Sequence, residues 1–174
     1  MAHENRSLFG LTLRLLLPAA LLVSTAISIS ANREATSSGP QAVSPAAEKL
    51  LTIADVESVT GAKGLKLVPK NPAKGAGGDL NFAKPDGSLL VMAVFGPASL
   101  FTQWKAQPGF AGSAVTGVGD EAFAGPAGAT PYVIFLRKGD HAASVSSFLS
   151  TTDMKPLLSQ DQLKALAKTI ASRL

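Results

Sequence analysis

Residues 117–148, GVGDEAFAGPAGATPYVIFLRKGDHAASVSSF, read as a β-hairpin behind a short lead-in strand. Tyr132 to Leu136 is a dense run of apolar, β-branched and aromatic side chains, the composition that suits a pleated and buried surface. Arg137-Lys138-Gly139-Asp140 is a polar turn with one glycine, and Ala142 to Phe148 alternates small and apolar residues with serines. Glu121 to Phe123 supplies the lead-in strand. So short a turn joins antiparallel neighbours, and the sheet is expected to be mainly antiparallel.

The same signals continue upstream. Leu80 and Phe82 alternate with Asn81 and Ala83, Pro85-Asp86-Gly87 makes a turn, and Ser88 to Phe95 is nearly all apolar, which predicts a second hairpin with a central second strand. After Gly96-Pro97, Ser99 stands as N-cap of a helix in which Leu100, Phe101 and Trp104 lie close together, with Trp104 buried, before Pro108 stops it. Nearer the N-terminus, Thr52 and Asp55 match a capping box, Ile53, Val56 and Val59 share one helical face, and Gly61 is a C-terminal stop, giving a helix over 53–60. Leu65 and Leu67 belong to an edge strand guarded by Pro69 and lysines.

The last helix carries the fullest set of signals. Ser159 and Gln162 form a capping box, and Leu163, Leu166, Ala167, Ile170, Ala171 and Leu174 make one apolar stripe. The predicted order is α-β-β-β-α-β-β-β-α, an α+β domain whose mainly antiparallel sheet is covered on one face by the Trp104 helix and the terminal helix.

Composition bounds the functional classes. The 174 residues are 46% hydrophobic and 16% charged, a globular balance, and a formal charge of +4 is too small to argue for a nucleic-acid partner. Residues 1–30 hold Arg6, Arg14 and Glu4, so without them the charge is +3. There is no cysteine, which removes thiol catalysis, Cys-ligated zinc and attachment of lipid through a lipobox.

The N-terminal residues have the pattern of an export signal. Arg6 and Arg14 precede LLLPAALLVSTAISIS, an apolar run of h-region length, and Ser28 and Ser30 are small residues suited to cleavage after Ser30. An uncleaved anchor over Leu8–Ile29 would bury Arg14 at a cost of about 2.5 kcal/mol or more. Residues 1–30 are therefore expected to be a signal peptide, 31–49 a flexible linker rich in Ser, Ala, Pro and Thr, and 50–174 a single α+β domain, placing the protein in the periplasm or outside the cell.

Few residue sets point to chemistry. Outside the signal the lone histidine is His141, which follows the hairpin turn with no G-x-S-x-G elbow in the chain, so it is expected to be a plain turn residue. Gly117, Gly119, Asp120 and Glu121 are the candidate binding or turn residues. A dinucleotide loop would need a third glycine and a following helix, and here Ala122 and a strand stand in those places. Adjacent carboxylates on a strand point to opposite faces, so Asp120 and Glu121 do not share a proton or ion, and Asp120 is expected to bond local backbone amides. Lys63, Lys66, Lys70, Lys74 and Lys84 read as the solvated guard of an edge strand. No catalytic, cofactor or metal signature emerges.

Four stretches carry a resemblance: TIADVESVTG, GVGDEAF, YVIFLRKGDHAASVSSF and LKALAKTIASRL. Together they resemble a group of small bacterial exported proteins with a PsbP-like fold, among them secreted lipoproteins and extracellular sensor-type domains. The likeness covers about residues 50–174. It implies export and a binding or accessory role without naming a ligand. Relatives often carry a lipobox cysteine and paired cysteines, which this chain lacks, so lipid anchoring and disulfides do not carry over, and a metal role would lack histidine partners. The expectation is an exported, non-enzymatic domain that meets the membrane only through an uncleaved signal and binds a ligand or an envelope protein, in concave space between sheet and helices or at one of two glycine-rich loops, the first over 71–78 and the second over 109–119. Its alternatives are an envelope hydrolase using Asp120, Glu121 or Asp140, and an anchored structural protein.

Overall fold

The computed structural model describes residues 45–71, 78–110, 112–126 and 132–174. The proposed signal at 1–30 and most of the first glycine-rich loop lie outside them. The described elements are helices α1 (Pro45–Leu50) and α2 (Ile53–Thr60), strands β1 (Lys66–Leu67), β2 (Leu80–Ala83) and β3 (Leu89–Pro97), helix α3 (Ala98–Ala106), strands β4 (Glu121–Gly125), β5 (Val133–Lys138) and β6 (His141–Ser147), and helix α4 (Gln160–Arg173).

The six strands form one sheet in the order β1-β2-β3-β6-β5-β4, and every neighbouring pair is antiparallel. Two three-stranded meanders thus meet along β3 and β6, which pair from Val91 opposite Ser147 to Pro97 opposite His141. This is the α+β fold expected, with one helix more. The packed body starts within the segment expected to be linker, because Ala47 and Leu51, four residues apart, are both buried against the core.

Both faces of the sheet are covered. Ile134 and Leu136 of β5 join the larger core with Val91, Ala93, Val145 and the apolar stripe of α4, whereas Val133 and Phe135 join Phe101, Phe123 and Ala142 on the other side. Successive strand residues point to opposite faces, so α3 and α4 lie on opposite sides of the sheet, which corrects the expectation of one shared face. The α3 side is an aromatic cluster in which Phe123 stacks on Phe135 at 4.8 Å and Phe101 lies 5.2 Å from Phe123. Trp104, expected to be buried, is only half-buried with its ring 5.1 Å from Phe135, and Phe101 is the residue α3 buries.

Local chemistry explains the element boundaries. Thr52 and Asp55 form a reciprocal capping box on α2, and Gly61 ends that helix at φ 75. Ser159 and Gln162 cap α4 in the same way. The start of α3 departs from expectation. β3 pairs through to Pro97, so Pro97 becomes the N-cap, no side chain caps the helix, and the amide of Ala98 donates to the Asp140 carbonyl at 2.8 Å. The strands of the main hairpin also run further than expected, leaving only Gly139 and Asp140 in the loop. His141 is therefore the first residue of β6, paired with Lys138 and Pro97, rather than part of the turn.

Candidate functional site

The residues singled out in the sequence build a brace. Gly117 and Gly119 take φ of 74 and 59, and a Cβ on Gly119 would stand 2.4 Å from the Arg137 carbonyl oxygen, so a side chain is excluded there twice over. That approach lets the Asp120 amide donate to the Arg137 carbonyl at 2.8 Å. The Asp120 carboxylate accepts from the Gly139 amide at 2.8 Å and faces the Arg137 guanidinium at 3.8 Å. Asp120 thus bonds an amide 19 residues away in the hairpin turn, not the local amides expected. Glu121 pairs instead with Lys105 of α3. The two carboxylates diverge, and no group of three or more His, Asp or Glu among the described residues is placed to hold a metal ion.

Concave space lies elsewhere. The second glycine-rich stretch folds back on the sheet, where Ala114 bridges to Phe123, the Val115 amide donates to the Ala122 carbonyl at 2.9 Å, and the Ala124 amide donates to the Ser113 carbonyl at 2.8 Å. This covers the outer edge of β4 and raises one wall of a hollow of ≈430 Å³. The opposite wall is the first turns of α4, with Gln160, Asp161, Leu163 and Lys164, and the floor is Ala124 and Ile134, next to Val133, whose side chain belongs to the other face. The floor and Leu163 are buried, while Ser113, Thr116 and Asp161 are exposed. Asp161 and Lys164 form no ion pair among the described residues. The wall is firm, because the Ser159–Gln162 box fixes the helix start and Gln162 Nε2 donates to the Val59 carbonyl at 3.3 Å.

A second hollow of ≈470 Å³ lies at the other end of α4, beside Asp79, His141 and Arg173. Two of these polar groups are engaged in holding the fold. Arg173 donates to both oxygens of Asp55 at 2.6 and 2.9 Å and to the Leu50 carbonyl at 3.3 Å. That guanidinium holds the Asp55 carboxyl well below the usual carboxylate range, with the Thr52 bonds adding to it against some desolvation, and Arg173 is raised in turn by Asp55. Asp79 accepts from the Phe95 amide at 2.8 Å and faces Lys70 at 3.6 Å. Nearby, Lys138 Nζ donates to the Ala171 carbonyl at 2.7 Å, satisfying an orphan acceptor at the helix C-terminus. The first hollow, whose Asp161 and Lys164 have no ion-pair partner among the described residues, is the better candidate.

Of the candidates named from sequence, Gly117, Gly119, Asp120 and Glu121 line neither hollow. Ser113 to Thr116 belong to the 109–119 loop named from the sequence, and the residues missed are the pair Asp161 and Lys164. The pair carried a readable signal, since both stand off the apolar stripe of α4 within its first two turns.

The class that fold and site define is an α+β domain with a two-sided six-stranded antiparallel sheet. No family model matches the sequence, and no curated protein or solved structure is significantly similar to it.

Proposed function

We propose that the chain is an exported, non-enzymatic domain that binds a small ligand between the 113–116 wall and the first turns of α4. The observation that carries this reading is the ≈430 Å³ hollow with its buried apolar floor and its rim of hydroxyls and charges of both signs. Such a lining suits a ligand with an apolar body and polar ends. Divergence of Asp120 and Glu121 weighs against the hydrolase reading, because a carboxylate acid and base must converge on one substrate. Export rests on the pattern of residues 1–30, and the likeness to PsbP-like exported proteins belongs to the same reading. No described helix is long and apolar enough to cross a membrane.

A thermal-shift screen of the purified protein against amino acids, short peptides, cell-wall fragments and lipids tests the site, since any binder of the native state raises Tm by mass action. Ala114→Arg, which fills the hollow, and Lys164→Glu, which reverses its rim charge, are expected to abolish the shift. A shift that survives both substitutions moves the site away from this hollow, and silence across the panel gives the weight to a partner protein. Export is tested by the N-terminal sequence of the protein outside the cytoplasm, expected to begin at Ala31.

A further inference from the structure

A helix turns once every 3.6 residues, so Asp161, Lys164 and Lys168 of α4, at i, i+3 and i+7, fall on one side of it. That side is turned to the segment 113–117. Asp161 and Lys164 line the hollow together with Ser113 to Thr116. Lys168, one turn further on, lies against Gly117, where a Cβ would stand 4.0 Å from the lysine Cε. The rim along α4 is therefore ordered by charge, with an anion at the start of the helix and two cations beyond it.

The fold does not satisfy this order by itself. Residues three apart on a helix are neighbours, yet Asp161 and Lys164 form no ion pair with each other, and Lys168 has no ion-pair partner among the described residues. Lys164 and Lys168 are four apart, a spacing at which like charges repel, and a negative group between them relieves that repulsion. The helix start offers the negative group no competing seat. There the Ser159 and Gln162 side chains already accept from each other's amides at 2.9 and 3.2 Å, and the Asp161 carboxylate favours a cation.

Length then selects the ligand class. Asp161 and Lys168 are seven residues apart, or about 10 Å along the axis at about 1.5 Å per residue. A single amino acid carries its ammonium and carboxylate on one carbon and cannot reach both ends. An extended chain spans about 3.3 to 3.6 Å per residue, so about three residues cover the distance. Between the termini lie Ala124, Ile134 and Leu163, an apolar surface for the body of the ligand.

We propose that the hollow takes a short zwitterionic peptide of about three residues with apolar side chains, its free ammonium at Asp161 and its free carboxylate between Lys164 and Lys168. This rests on the reading of the hollow as the ligand site and adds to it the class and the direction of the ligand.

Binding of a set of apolar tripeptides to the purified protein, each with free termini, N-acetylated and C-amidated, tests it. Free peptides are expected to bind, free leucine not to bind, and each cap to weaken binding about tenfold through loss of a charge-assisted contact. Asp161→Asn should erase the difference between free and acetylated peptides while keeping that between free and amidated ones, and the double variant Lys164→Gln with Lys168→Gln should do the reverse. A general loss of fold does not produce that crossed pattern. Capped peptides that bind as well as free ones, or variants whose effects do not cross, would overturn the charge-ordered groove. Where no tripeptide binds but another compound of the thermal-shift screen does, with its shift lost in Ala114→Arg, the hollow stands as a site and the peptide class falls. Where nothing binds, the reading of the hollow and the proposal fall together.

Discussion

Asp55 joins three elements, and removing its carboxylate tests how the helical layer is held. In Asp55→Ala the Thr52 amide and hydroxyl lose their acceptor, 2.9 and 2.6 Å away, and α2 loses its capping box. A cap of this kind is worth about 1 kcal/mol. Arg173 also loses a two-pronged partner. An exposed ion pair contributes about 0.2 to 1 kcal/mol, and with the Asp55 side chain 21% exposed and the geometry bidentate the upper end applies. The expected loss is about 2 kcal/mol, or about 6 to 8 °C in Tm for a domain of this size, by thermal and urea denaturation at pH 7. The pH dependence supplies a second check. The folded-state pKa of Asp55 is depressed, so its contribution is fully present above the unfolded value near 4 and is lost as pH falls from there through the folded value. The gap between wild type and variant should therefore narrow below about pH 4. A gap of the same size at pH 7 and pH 2.5, or no measurable gap at pH 7, would refute this account of the clamp.

Two further substitutions probe the brace and the aromatic layer. Gly119→Ala meets both a left-handed backbone and the Arg137 carbonyl, and should cost over about 2 kcal/mol, whereas Gly139→Ala, at φ 54 with nothing within 4 Å, should cost only about 1; equal losses in urea denaturation would remove the close approach from the argument. Phe101→Ala should cost about 3 to 5 kcal/mol, and Trp104→Ala distinctly less because its ring is half in water. Equal losses at these two positions would mean that Trp104 anchors α3 as firmly as Phe101.

Elements governed by near neighbours were legible in the sequence. Both capping boxes, Gly61 as a helix stop and the pairing of β5 with β6 depend on residues a few positions apart, and each appears as expected. What depends on distant residues was not. Asp120 has its backbone partner in the turn after β5, and Ser99 lost the cap because pairing with β6 carries β3 through to Pro97. The placement of α3 and α4 on opposite faces had a signal that periodicity alone does not resolve. Apolar residues at every position from Tyr132 to Leu136 require cover on both sides of β5, and one helix is needed for each. The candidate hollow had less, since its walls come together only when residues 113–115 pair with β4 and α4 crosses the sheet.

If the hollow beside α4 is the ligand site proposed above, the two ends of that helix divide the labour between stability and binding. At the C-terminal end the cations are spent on the fold, Arg173 on Asp55 and Leu50, Lys138 on the Ala171 carbonyl. At the N-terminal end the capping box satisfies the helix with uncharged groups, Ser159 and Gln162, and Asp161 and Lys164 at the rim of the hollow have no ion-pair partner among the described residues. A helix start capped by its own neutral side chains does not depend on a ligand to be formed, which makes the wall rigid before anything binds. Because the far end is clamped separately, substitutions at Lys164 should alter binding with little effect on Tm, while those at Arg173 should do the reverse. A Lys164→Glu variant that lost as much stability as Arg173→Ala would break this division and, with it, the case that the first turns of α4 are a site rather than a support.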